Sequence, residues 1–349
     1  MSFKTRPLCL KFITGLSFML ICLSGRSQYN FSGVDSFLMA NQKALGNDIA
    51  AIIYKGDKII YQKALGEEFN IKTRAPVADA SKWLTAALVM TFVDEGKISL
   101  DEKVSNYLPI FETYGKTYVT IRQCLSHTTG IADNSKSMGK LLDKKKFESL
   151  EEEVNSFVKK EIAANPGTSF FYGNMGLNIA GRVLEVITKK SFESLMKQRI
   201  FTPLEMKNSS FIPEDGSVNP SVGAESTATD YINFLSMLLN KGMYKGKRIL
   251  SEKAIAEMQT IQIKKAEKKY TPKIAEGYEY GLGEWIEQRD GAGNSVVISS
   301  PSLAGTWPYI DQCRNYACIF FIKKQSEQKK ELYQELKKKI DAQIVAECK

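Results

Sequence analysis

The order in which strand-like and helix-like stretches follow one another constrains this 349-residue chain more than any other feature. Ile49-Ala50-Ala51-Ile52-Ile53-Tyr54 and Lys58-Ile59-Ile60-Tyr61 are apolar β-forming runs around a turn at Lys55-Gly56-Asp57, a pattern that predicts a hairpin. From Asp79 the period becomes helical: Trp83, Leu84, Ala87, Leu88, Thr91 and Phe92 recur at helix spacing until Glu95-Gly96. Helices are also expected from Val34 to Leu45 and near 119–127, 148–163, 173–188, 191–199, 229–240 and 251–260. Strands return in Ser295 to Ser300, Thr306 to Ile310 and Tyr316 to Lys323, and a final helix carries Leu332, Leu336, Ile340 and Ile344 on one face. Strands at both ends with helices between imply an α/β (α+β) fold. An antiparallel sheet built from both chain ends would be flanked by helices, with a mostly helical region inserted. The sheet part is expected over about 28–78 and 261–349 and the helical part over about 79–260. A site would lie where the two parts meet, because pockets favour such junctions.

Residues 1–27 are set apart. Lys4, Arg6 and Lys11 accompany an apolar run from Phe12 to Leu23, and Ser24-Gly25-Arg26-Ser27 follows. This is the layout of a cleavable secretory signal, and the run is too short to span a bilayer. The expectation is an exported protein, periplasmic or extracellular, with no transmembrane segment after signal removal. The formal charge of +9 falls to about +5 once the four leader cations leave. Lysines at 264–265, 268–269 and 337–339 carry much of the excess and read as solvated surface. No stacking aromatics are interleaved with them as nucleic-acid binding would need, so no nucleic-acid partner is expected. Oligomeric state leaves no trace in the sequence. Of the remaining cysteines, Cys313 and Cys318 flank a likely turn and could pair in an oxidising compartment or both stay reduced; spacing does not decide. His127 is the only histidine and no C-x-x-C occurs, so neither a zinc site nor a cofactor is expected.

Five stretches then point to a known family. They are Ala80 to Ala86 running into Asp94 to Leu100; Ile121 to Gly130 (IRQCLSHTTG); Pro166 to Gly181 (PGTSFFYGNMGLNIAG); Phe201 to Lys207 (FTPLEMK); and Ser226 to Leu239 (STATDYINFLSMLL). In this order and spacing they resemble the β-lactamase-related family, which includes class C β-lactamases, penicillin-binding D,D-peptidases and several esterases. The resemblance covers nearly the whole chain after residue 27.

The resemblance implies three catalytic elements. The first, S-x-x-K at a helix start, supplies a nucleophilic serine and a lysine one turn on that helps remove its proton. Lys82 matches the lysine, but Asp79 stands where the serine would be. The second, Tyr-x-Asn, is intact as Tyr172-Gly173-Asn174; the tyrosine shares the proton transfer and the amide orients substrate. The third is a strand carrying Lys-Thr-Gly or an equivalent, which lines the site and donates part of an oxyanion hole. Aligning Gly305-Thr306 with the end of that run puts Ser300 near the usual cation and Ser302 near a usual glycine.

Asp79 also has a structural explanation as a helix N-cap, and an Asp79–Lys82 ion pair would satisfy both groups. Lys82 is poorly placed in a first turn on dipole grounds, which favours a retained site residue. Ser81, directly before Lys82, points about 100° away from it on a helix. The His127 turn reads as structural, and Gly281-Leu282-Gly283 is no phosphate loop because no lysine or helix start follows. Two functional expectations stand from these residues. One is a pseudoenzyme that binds a small ester, amide or peptide ligand without serine-type acyl transfer. The other is an active hydrolase, of esterase, D,D-peptidase or amidase type, that uses Lys82 and Tyr172 with an Asp79-activated water or with Ser81.

Overall fold

The computed structural model describes residues 1, 29–132, 147–212, 218–323 and 330–348. The leader expected at 1–27 lies, apart from Met1, outside the described residues. A seven-stranded antiparallel sheet forms the centre. Its strands are β1 (Ile49–Lys55), β2 (Lys58–Leu65), β3 (Glu279–Tyr280), β4 (Trp285–Arg289), β5 (Ser295–Ser299), β6 (Trp307–Asp311) and β7 (Tyr316–Ile322). Their spatial order is β2-β1-β7-β6-β5-β4-β3, so β1, from the start of the chain, is zipped onto β7, from its end. The sheet is therefore closed only when both ends are present.

Local chemistry explains the joins. Gly56 and Asp57 both take positive φ, 57° and 59°, which is the primed two-residue turn whose twist matches a hairpin. Side chains of β1 alternate between two cores: Ala50 and Ile52 face the helical region, whereas Ile49, Ala51 and Ile53 face the other side. The same alternation splits β7 into Ala317, Ile319 and Phe321 against Tyr316, Cys318 and Phe320. A strand buried on both faces reads as one continuous apolar run.

Five helices matter for the argument: α1 (Ser32–Ala40), α2 (Ser81–Asp94), α3 (Met175–Thr188), α4 (Ala228–Leu239) and α5 (Lys330–Asp341). Helices α1 and α5 cover one face of the sheet, and α4 covers the other. Every residue of α2 from Ser81 to Phe92 is buried. It is thus an internal helix surrounded by others and by the sheet, with no solvent face.

The structure corrects several expectations. Helix α1 stops at Ala40, and the chain turns through Gly46 (φ 101°) and Asn47 (φ 70°) instead of continuing to Leu45. Strands β3 and β4 were missed; the outer half of β4 is polar (Glu287, Gln288, Arg289), so its apolar signal is only two residues long. Cys313 bonds to Cys348 and not to Cys318. Cys318 lies mid-strand opposite Tyr309, buried in the core, while Cys313 lies in the β6–β7 turn, so the two cannot approach.

Candidate active site

The site forms where α2, the start of α3 and the β5–β6 loop converge. The chain enters α2 through a tight turn, Ala78–Ala80, with Ala78 at φ 45°. A non-glycine residue in that region carries about 1–3 kcal/mol of strain, which surrounding structure must hold. The turn aims Asp79 at the β5–β6 loop. The residue flanking the first turn of α2 is Ala80, and no side chain caps it. Asp79 is therefore not the N-cap that the sequence suggested; its carboxyl is engaged elsewhere.

Both carboxyl oxygens of Asp79 have partners. Oδ1 accepts from Lys82 Nζ at 2.8 Å, and Oδ2 accepts from the backbone N–H of Leu303 at 3.0 Å. Lys82 is fully buried, and its ammonium also donates to Asn174 Oδ1 at 3.1 Å and to the Ser221 carbonyl at 3.4 Å. An ammonium has three N–H donors, and here each has an acceptor. Burial lowers the Lys82 pKa below its ordinary 10.5, and the Asp79 charge opposes that fall.

Tyr172 forms the floor. Its ring centroid lies 4.9 Å from Lys82 Nζ, close enough for a cation–π contact. His127 (4.7 Å between ring centroids) and Trp285 (5.0 Å) hold that ring in place. Burial first, then the Asp79 charge and Tyr280, push the Tyr172 phenol well above its ordinary 10, so it is a proton donor and not a phenolate at neutral pH. His127 Nε2 is 3.0 Å from Tyr280 Oη. Burial and the Lys82 charge hold that imidazole far below 6.5, so it is neutral and braces Tyr172. The structural reading of His127 agrees with this placement.

Asn174 stands just before α3 in the N-cap position, but its side chain makes no cap; its oxygen is given to Lys82 instead. Opposite, Gly283 (φ 76°) presses its backbone onto α2, where a Cβ would lie 2.8 Å from the Lys82 carbonyl oxygen and 2.4 Å from Ala86 Cβ. Only glycine fits that approach.

The four residues singled out from sequence, Asp79, Lys82, Tyr172 and Asn174, thus form one cluster. Of the third set, Ser300 places Oγ 3.5 Å from the Asp79 carbonyl oxygen, not from its carboxylate. Ser302 and Gly305 shape the loop: Ser302 Oγ accepts from Ala304 N, and Gly305 N–H donates to the Ser302 carbonyl. The loop's contact with the Asp79 carboxylate comes from Leu303, which sequence reasoning missed because a backbone N–H has no side-chain signature. Ser81 is turned away; its buried Oγ accepts from Ala224 N–H at 3.0 Å. Beside the cluster, past Gly173, runs a cleft of about 270 Å³.

The Beta-lactamase family model matches residues 38–340. The chain belongs to the β-lactamase family. Penicillin-binding protein 4 of Amycolatopsis lactamdurans is 30% identical over 212 residues, 51% of this chain and 54% of that protein. This β-lactamase-family chain spans about half the length, or less, of the curated relatives it matches. A solved structure from Bacteroides dorei DSM 17855, titled as a β-lactamase candidate, superposes with a TM-score of 0.81 at 30% identity, over 90% of this chain and 99% of that one. The octameric penicillin-binding protein homologue of Pyrococcus abyssi shares the fold, with a TM-score of 0.71 at 20% identity over 88% and 76% of the two chains. The antiparallel sheet with flanking helices is the β-lactamase fold. Among the described residues no helix is long and apolar enough to cross a membrane.

Proposed function

We propose that this β-lactamase-family chain does not perform serine-type acyl transfer and acts as a pseudoenzyme that binds a small ester, amide or peptide ligand. Asp79 takes the nucleophile position, with Lys82, Tyr172 and Asn174 as the retained machinery and Ser300, Ser302 and Gly305 on the oxyanion loop. The observation that carries this reading is the double engagement of the Asp79 carboxylate, by Lys82 Nζ on one oxygen and Leu303 N–H on the other. The first group would serve as the base and the second as an oxyanion donor, and both are spent on Asp79. An aspartate attacking an ester would give a mixed anhydride, whose carboxylate departs easily, so the acyl group would return to the alcohol. In a serine protease of another fold, loss of the nucleophile costs about 10⁶-fold in turnover.

The intact cluster of Lys82, Tyr172 and Asn174 favours a second reading, an active hydrolase in which Asp79 activates water. Against it, a general base must hold a water in line with the scissile bond, and both oxygens of the buried Asp79 carboxylate are already oriented by Lys82 Nζ and the Leu303 N–H. The buried hydroxyl of Ser81, turned away from the cluster to accept from the Ala224 N–H, counts against that residue as nucleophile. We also propose export: the Cys313–Cys348 bond suits an oxidising compartment.

The test is hydrolysis of p-nitrophenyl acetate and butyrate by wild type and Asp79→Ser. The reading expects wild type at the buffer rate and a measurable gain in Asp79→Ser. Wild-type turnover that Asp79→Ser abolishes would make Asp79 catalytic and end the pseudoenzyme reading.

A further inference from the structure

One turn beyond Asn174, helix α3 carries a second asparagine that the Asp79 cluster does not itself explain. Asn178 is fully buried on a helix whose other buried positions include Leu177, Ile179, Ala180, Val183 and Leu184. A buried amide costs stability unless its hydrogen bonds are made, and this one makes them on both sides. Nδ2 donates to Glu153 Oε2 at 3.0 Å, and Oδ1 accepts from the Ser221 backbone N–H at 3.0 Å. The amide has one workable orientation, because turning it over would set oxygen against a carboxylate and N–H against N–H. Burial pushes Glu153, on the helix Leu150–Val158, up to about 7, with the Asn178 amide opposing the rise.

Ser221 carries this arrangement to the ion pair. It too is fully buried, and all three of its polar groups are committed. Its N–H is shared between Asn178 Oδ1 and Asn219 Oδ1, each at 3.0 Å. Its carbonyl accepts from Lys82 Nζ at 3.4 Å, and its hydroxyl donates to the Asn174 carbonyl. One residue thus touches both Lys82 and Asn174. The flanking chain lies along the same part of α2: the Pro220 carbonyl accepts from Thr85 Oγ at 2.6 Å, and the Ala224 N–H donates to Ser81 Oγ. Asn219, which also accepts from the Val222 N–H, belongs to the same loop and moves with it. Asn178 ties the Ser221 backbone to a helix.

We propose that Asn178, anchored by Glu153, is a positioning residue: it holds the Ser221 carbonyl against Lys82 and so keeps the ammonium turned to Asp79 and Asn174. The inference concerns how the ion pair is held; it goes beyond the ligand-binding reading and does not depend on it. A residue that only filled the space between helices would be served by leucine, of similar size. Replacing buried polar groups by apolar ones of the same shape is often close to neutral for stability. Stability and the state of Lys82 can therefore be read separately.

The experiment is lysine-ammonium NMR on the full chain with isotope-labelled lysine. The Lys82 signal is identified by its proximity to the Tyr172 ring, whose centroid lies 4.9 Å from Nζ and whose ring current displaces it. Wild type is expected to show a displaced signal protected from exchange with water. In Asn178→Leu the displacement should shrink and the Nζ hydrogens should exchange about ten-fold faster. Glu153→Leu should move the signal the same way. Glu153→Gln, whose side-chain oxygen still accepts from Asn178, should return it to the wild-type position. Leu184→Ala, which opens a cavity on α3 outside the network, should lower the melting temperature and leave the signal in place. A wild-type signal that is unprotected, one that stays put in Asn178→Leu and Glu153→Leu, or one that moves equally in Leu184→Ala overturns the inference. If Asn178→Leu does not fold, Glu153→Leu against Glu153→Gln decides. Ester hydrolysis by Asp79→Ser judges the pseudoenzyme reading separately.

Discussion

Replacing Asp79 by Asn removes one charge and almost no volume, and so isolates the value of the ion pair. In the wild type, Lys82 is fully buried and its strongest partner is the Asp79 carboxylate at 2.8 Å. In Asp79→Asn, Lys82 keeps only the neutral oxygens of Asn174 and Ser221 among those partners. Breaking a buried pair by removing one member costs about 3–5 kcal/mol, because the other charge is left uncompensated. At about 2–3 °C per kcal/mol for a domain of this size, the melting temperature should fall by ~6–15 °C near pH 7. The pH dependence gives a second signature. Burial already holds Lys82 below its unfolded value of 10.5, and without Asp79 it falls further. A base whose folded pKa is depressed penalises folding at low pH and is relieved as pH rises through the folded value toward the unfolded one. The gap between wild type and Asp79→Asn should therefore narrow between about pH 7 and 10. Scanning calorimetry across that range decides. A gap under about 2 °C at pH 7, or one that widens with pH, would refute the buried-pair reasoning.

Glu284 offers an opposite sign. It is fully buried, and burial, only partly offset by the neighbouring Trp83 indole, pushes its pKa well above 4.5. Its stabilising protonated form is fully present below the unfolded value and lost as pH rises through the folded one; denaturant melts should show Glu284→Gln gaining on wild type steadily above about pH 5. Gly283→Ala meets both a positive φ and the Lys82 carbonyl, so it should lose more than about 2 kcal/mol in the same melts; a loss under half that would mean the strand start can retreat. The Cys313–Cys348 bond closes a separation of 35 residues, so Cys348→Ser should cost about 3–4 kcal/mol and leave a protein whose melting no longer responds to reductant.

The elements that were legible in the sequence carry their information in side chains at fixed spacing. The β1–β2 hairpin was visible because Gly56-Asp57 interrupts two apolar runs, and α2 because Trp83, Leu84, Ala87 and Leu88 recur with helical period. Lys82 and Tyr172-Gly173-Asn174 were recognisable as site residues, and folding brings them together. What stayed hidden belongs to backbone and tertiary geometry. Leu303 acts through an N–H that any residue has, and Ser221 through its carbonyl. Asp79 looked like a helix cap because local sequence cannot show the loop that comes to meet it. Glu284 sits in a glycine-rich run with no pattern to mark its side chain as inward. Cys313 found Cys348, and not its nearer neighbour in sequence, because strand register buries Cys318.

The central claim is that one carboxylate occupies the groups that would otherwise drive acylation. Intact-protein mass spectrometry after exposure to a fluorophosphonate and to a penicillin, on wild type and Asp79→Ser, tests it most directly. The account predicts an unmodified wild type and a single adduct on Asp79→Ser at residue 79. An adduct on wild type, mapped to Ser81 or any other serine, would contradict it and make this chain an active serine enzyme.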